Sequence, residues 1–154
     1  MTTVIPKEDI LDFIKSQFIM QIATCSENKP AVSVMLFAID DSFNIYFATH
    51  RNSYKSKNLL SNPKVGIAIW EHTKMLIQID ADVEEITNSD DVAKALDMLA
   101  DQATKSEEFW PPVFRINNGE YVIFKAKPYW ARALDLTRST IRQEDTPFTE
   151  INLK

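Results

Sequence analysis

Between Phe18 and Leu136 the chain offers six short apolar, β-branched stretches with few long interruptions, and this pattern leaves few architectures open. Phe18 to Cys25 and Ala31 to Ile39 are parted by Ser26-Glu27-Asn28-Lys29-Pro30, the composition of a hairpin connection. Asp40-Asp41-Ser42 then turns the chain into Asn44 to Thr49. Lys64 to Trp70 and Met75 to Ile86, joined by Glu71-His72-Thr73-Lys74, supply the fourth and fifth stretches. Glu120 to Leu136 reads as one long last strand, bent at Lys127-Pro128. Six such strands with helices outside them predict a mainly β fold, a six-stranded antiparallel, Greek-key-like barrel with peripheral helices rather than a parallel sheet.

The helices have their own signals. Ile10, Leu11, Ile14 and Phe18 recur at helical spacing after Pro6, which predicts an amphipathic helix over about residues 7–17. Asn88 can cap a second helix, with Asp91 three residues on and an apolar stripe of Val92, Leu96, Leu99, Ala100 and Ala103. At 154 residues and 45% hydrophobic, the chain is long enough for one core and short for two. The expected organisation is a single domain over 1–154, with the barrel over about 18–136 and a polar, irregular tail over 137–154.

Composition excludes several functions. The only glycines are Gly66 and Gly119, so neither G-x-G-x-x-G nor G-x-x-x-x-G-K-[ST] can be written, and the usual dinucleotide and phosphate loops are absent. With 17 basic and 22 acidic residues the formal net charge is -5, which argues against a broad nucleic-acid surface. No apolar run approaches membrane-spanning length and the first residues lack a secretory pattern, so the expected location is cytoplasmic, with no membrane partner. Cys25 is the one cysteine; it excludes an internal disulfide and a multi-cysteine zinc site, and no metal site is expected.

One segment carries chemistry. Asn44 to Trp70 places a short helix between two strands, with Ser53 as its cap, Lys55 and Lys57 in its first turns, Arg51 just upstream and Asn62-Pro63 as its stop. Free N–H groups, the positive end of the helix dipole and the cations make that start a seat for a phosphate. On spacing alone, a solvated basic helix face is an equal reading. His50 and His72 lie at a strand end and in a turn, where an exposed histidine needs no special role.

The order strand, short loop, S-x-K-x-x-N-L, N-P and apolar strand resembles the pyridoxamine 5'-phosphate oxidase-like family of FMN-binding split barrels. Trp110-Pro111-Pro112-Val113-Phe114, Trp130-Ala131-Arg132 and Leu134-Asp135 are similar to later family segments, and the resemblance covers roughly Lys7 to Leu136. It implies a homodimer with FMN at the subunit interface. Mapped residue by residue, it implies Val34, Met35 and Leu36 beside the flavin ring, Phe47, Ala48 and Thr49 near the ring or ribityl chain, and Ser53, Lys55, Lys57 and Asn58 near the phosphate. Trp110 would stack on the neighbouring subunit's flavin or close its pocket; ordinary loop packing is an equal reading of that aromatic segment.

There are departures from the family pattern. Tyr54 stands where the commonest form has arginine, no charged residue lies near Val32 to Phe37, and Leu76 aligns with a flavin-binding glutamine. The basic R-L-x-P segment of the vitamin B6 oxidase has no counterpart after Arg138 and Arg142, so oxidation of pyridoxamine phosphate is not implied. What the resemblance does imply is an FMN-dependent oxidoreductase acting on a small-molecule substrate. The alternative is a non-catalytic flavin- or haem-binding protein with a sensing, storage or stress-related use.

Overall fold

The computed structural model describes residues 4–105, 120–137 and 147–154. Their order is α1 (Lys7–Ser16), β1 (Ile19–Ser26), β2 (Lys29–Leu36), β3 (Ala38–Ile39), β4 (Ile45–His50), α2 (Tyr54–Ser61), β5 (Lys64–Glu71), β6 (Met75–Glu85), α3 (Ser89–Thr104), β7 (Tyr121–Asp135) and β8 (Phe148–Asn152). The strands form one antiparallel sheet in the order β2-β1-β5-β6-β7-β4-β3, with β8 added beside β7.

The two outermost strands of that order are consecutive in the chain. Only Phe37 separates β2 from β3, and its N–H donates to the Phe18 carbonyl at 3.1 Å. One bent strand therefore belongs to both ends of the sheet, which closes the circuit while leaving a break in the hydrogen-bond ladder: a split, Greek-key barrel. Counted in that way the expected six strands are present. The structure differs in two places. The bend sets β3 apart as its own short strand, and the tail, expected to be irregular, forms β8 because Ile151 and Leu153 reach back to pack on the core.

Alternation explains the core. Val65, Ile67 and Ile69 of β5 and Ile77, Ile79 and Ala81 of β6 all point inward and are buried, while Gly66, Ala68 and Gln78 between them face out and are half-exposed. Ile10 and Ile14 of α1 are fully buried and join the same cluster. A second apolar layer lies outside the barrel, where Leu36, Ala38, Ala48 and Ile123 meet Ala95 and Leu99 of α3.

β7 serves both layers because its phase changes once. Ala81 pairs with Pro128 but Asp80 pairs with Trp130, so Tyr129 is an extra residue. Inward positions are even-numbered up to Pro128 and odd-numbered from Ala131. The bulge turns Trp130 and Arg132 to the outer face, and Pro128, paired with Ala81 of β6, sits where β7 has left β4 and not yet met β8.

The first hairpin is tighter than its composition suggests. Glu27 and Asn28 alone make the turn, both with positive φ (50° and 63°), and Lys29 and Pro30 already belong to β2. Pro6 stands at the N-cap of α1 and Asn88 caps α3 by accepting from the N–H groups of Asp90 and Asp91. On α3 the buried face runs through Ala95, Leu99 and Gln102; Ala100, expected on that stripe, is exposed. No described helix is long and apolar enough to cross a membrane.

Gln102 is the polar member of this packing. Its amide nitrogen donates to the carbonyls of Gln17 (3.0 Å) and Phe37 (3.3 Å), and its oxygen accepts from Lys105 (2.9 Å), so α3 is tied to the end of α1 and to the barrel's bend. Gln102→Leu takes this donor from the buried Phe37 carbonyl and the part-buried Gln17 carbonyl and should lower stability by about 1–3 kcal/mol. Urea denaturation should show an earlier midpoint at unchanged slope; an unmoved midpoint would mean that the bend holds without this bridge.

Candidate functional site

The last residues of β4 and the first turn of α2 gather hydroxyl groups. The Ser53 hydroxyl accepts from the Ser56 N–H at 3.2 Å, the capping bond that its position predicts, and donates to the Ser56 hydroxyl at 3.1 Å. The Ser56 hydroxyl in turn donates to the His50 carbonyl at 2.8 Å, and Thr49 Oγ1 lies 3.3 Å from Ser53 Oγ. Ser56 is almost fully buried and Thr49 is buried. The N–H groups of Tyr54 and Lys55 make no hydrogen bond to a described residue, as befits the first turn of a helix.

The cations around this start differ in what holds them. Arg51 is engaged by Glu85 at 3.3 Å. Lys57 is exposed and lies about 200° around the helix from Lys55 at ~3.6 residues per turn. Lys55 is half-buried and has no carboxylate partner among the described residues; burial alone pushes its ammonium pKa below the ordinary 10.5. It is thus a desolvated positive charge beside two free N–H donors and a hydroxyl pair, the electrostatic shape of an anion site.

The remaining predicted residues divide by the face they occupy. Val34 is exposed on the outer face of β2, while Leu36 and Ala48 sit in the outer layer beneath α3. Met35 and Phe47 point into the barrel, Phe47 with its ring 5.4 Å from that of Phe124, so they can offer a ligand only their backbone. Asn58 donates to Thr24 at 3.0 Å, which ties α2 to β1 instead of turning its amide to the helix start. Trp110 lies outside the described residues.

Sequence reasoning named Arg132 only within the family-like segment Trp130-Ala131-Arg132 and gave neither it nor Gln78 a site role. They line an open groove of about 370 Å³ over β1, β5, β6 and β7, together with Trp130 and Val32. Arg132 donates to Gln78 Oε1, and its guanidinium lies 4.1 Å from the centre of the Phe148 ring and 5.9 Å from that of Trp130. The signal was the phase of β7, which only the bulge at Tyr129 reveals. Of the histidines, His50 accepts from the Asn52 N–H at 3.0 Å through Nδ1 and faces Glu120 at 4.0 Å through Nε2; His72 is exposed, edge-on to Trp70. Among the described residues, no three His, Cys, Asp or Glu side chains converge as metal ligands.

A family model described as pyridoxamine 5'-phosphate oxidase matches residues 6–143. No curated protein matches the sequence. Among solved structures, a conserved hypothetical protein from Mycobacterium tuberculosis is 19% identical, with a TM-score of 0.73 over 93% of this chain and 94% of that one. A haem-binding protein from Mycobacterium smegmatis is 13% identical, with a TM-score of 0.74 over 98% of this chain and 60% of its own. An FAD-binding protein from Mesorhizobium loti is 14% identical, with a TM-score of 0.67 over 84% of this chain and 94% of its own. At these identities the likeness is one of fold.

The desolvated lysine has a thermodynamic signature. Because the pKa of Lys55 is lower folded than unfolded, the unfolded chain binds more protons between the lowered value and 10.5. The ligand-free protein should therefore gain stability through Lys55 as pH rises across that window, and Lys55→Met should be the more stable form at neutral pH. Denaturant midpoints of both proteins at neutral and alkaline pH test this; parallel pH profiles would show that Lys55 is fully solvated.

Proposed function

Because the chain belongs to the pyridoxamine 5'-phosphate oxidase family, whose model spans residues 6–143, we propose that it binds FMN and serves as a flavin-dependent oxidoreductase for a small-molecule substrate. The observation that carries this reading is Lys55, half-buried with no carboxylate partner among the described residues, at the α2 start whose first N–H groups bond to no described residue. A phosphate there restores to the ammonium what burial removed. Thr49 and Ser53 supply hydroxyls within 3.3 Å of each other, and Val34 provides an exposed apolar surface for a ring, while Leu36 and Ala48, covered by α3, can offer it only their backbone. Bound flavin supplies the electron transfer, while the chain seats the phosphate and presents the ring to a second substrate. A cytoplasmic location suits a chain with a single cysteine and such a cofactor.

The exposed outer face suits a second copy of the chain. Val32, Val34 and Trp70 are 71%, 56% and 50% exposed, and a Cβ at Gly66 would meet no atom within 4 Å. A homodimer that buries this face would share the flavin between subunits. Val32→Asp should shift the protein from dimer to monomer in light scattering at micromolar concentration. A wild-type monomer that retains flavin would overturn the shared site.

The first measurement is the spectrum and mass of the copurifying chromophore. A flavin band that bleaches at turnover rates with reduced nicotinamide cofactor supports the oxidoreductase; a flavin without turnover supports storage or sensing, and a haem spectrum replaces the cofactor. Lys55→Ala should weaken FMN by roughly ten- to hundredfold, the scale of one charge-assisted contact of about 1.5–3 kcal/mol. Riboflavin, which lacks the phosphate, should lose less, and Lys57→Ala should matter little. Fluorescence-quenching titrations decide it: equal wild-type affinities for FMN and riboflavin would make the α2 start an ordinary solvated helix end.

A further inference from the structure

A second cleft, of about 460 Å³, opens between the first half of α3 and the sheet where β4, β6 and β7 run together. Its volume falls within the ~300–1,000 Å³ usual for small-molecule sites. On the α3 side, Asp91, Lys94, Ala95 and Met98 follow one another at i, i+3, i+4 and i+7, so a single helix face lines the cleft. On the sheet side are Tyr46, Glu84 and Lys125, which stand opposite one another in the β4–β7 and β6–β7 registers. Ile86 joins Ala95 and Met98 as an apolar floor.

The charges of this cleft are unequally satisfied. Asp40 accepts four hydrogen bonds, from the N–H groups of Ser42 and Asn44, the Asn44 amide and the Tyr46 hydroxyl, and has nothing left to offer. Burial, and then the bond to Asp40, push the Tyr46 phenol up to about 12, so it stays a neutral donor to that carboxylate. Glu85 is held by Arg51 at 3.3 Å and Glu84 has Lys127 at 3.0 Å. Asp91, Lys94 and Lys125 have no ion pair with a described residue, and Lys125 has only the Tyr46 ring, 6.0 Å away.

An anion alone would leave Asp91 without a partner, and a cation alone would meet Lys94 and Lys125, which have no ion pair with a described residue. A ligand carrying both signs and an apolar tail satisfies all three surfaces. We propose that this cleft is a second ligand site that takes an α-amino acid with an apolar side chain as its zwitterion. The carboxylate lies between Lys94 and Lys125, the ammonium faces Asp91 and Glu84, and the side chain rests on Ile86, Ala95 and Met98. The site is separate from the α2 start and does not depend on what binds there.

The test is an amide-resolved NMR titration of the full chain with L-leucine, with L-leucinamide as the probe lacking the anion and isocaproate as the probe lacking the cation. Saturable shifts should concentrate at Ile86, Lys94, Met98 and Lys125. Each half-probe should bind roughly tenfold or more weakly, the scale of one charge-assisted contact. Lys94→Gln combined with Lys125→Gln should remove the preference for leucine over leucinamide and leave the flavin content unchanged. No saturable shift with leucine, equal affinity for the three probes, or a leucine response untouched by the double substitution would each overturn the proposal.

Discussion

A strand that must serve both ends of one sheet has to bend sharply, and Phe37 is where this chain does so. Leu36 on one side of the bend and Ala38 on the other both face out under α3, while Met35, Phe37 and Ile39 face in. The change of direction costs β2 and β3 a continuous ladder, and two hydrogen bonds at the bend offset part of that cost: Phe37 N–H to Phe18 and its carbonyl from Gln102. Barrel closure, the docking of α3 and the position of Val34 to Leu36 beside β4 all follow from this bend. It links the fold to the site more directly than any single core contact.

The site depends on a local charge that runs against the global one. The chain carries a formal net charge of -5, and several cations in the described structure have acidic partners: Lys15 with Asp41, Lys64 with Asp82, Lys74 with Glu71, Lys127 with Glu84 and Arg51 with Glu85. These pairs are largely solvated and add little stability. Lys55 has the opposite character, partly desolvated and with no ion pair to a described residue, so no described carboxylate cancels its field. At physiological ionic strength fields fade over about 8 Å, so the neighbourhood of Lys55 and not the protein's net charge decides which ligand sign it favours.

Much of this was legible along the chain. Ser53 and Asn88 declared themselves as caps because Ser and Asn side chains can satisfy first-turn N–H groups without help from distant residues. The six main strands were visible because burial on one face imposes a two-residue period, and an irregularity in the last strand was signalled by Pro128, although the structure makes it a bulge at Tyr129. The role of Gln102 was hidden: a glutamine on a helix reads as solvent-facing unless two carbonyls from other elements come to meet it. Ala100 and Ala95 are equally apolar, and only the docking angle of α3 decides which is covered.

By itself, then, the sequence determined the strand and helix repertoire, the absence of glycine-rich phosphate loops and the basic start of α2, because each rests on local periodicity, capping or composition. Tertiary structure alone decided that Tyr129 is the extra residue that turns Trp130 and Arg132 outward, that residues 148–152 make an eighth strand, and that among the described residues Arg51 has an acidic partner and Lys55 has none. Register, burial and ion pairing depend on which distant groups arrive opposite a residue. Those distances are set by closure of the barrel, which no window of neighbouring residues contains.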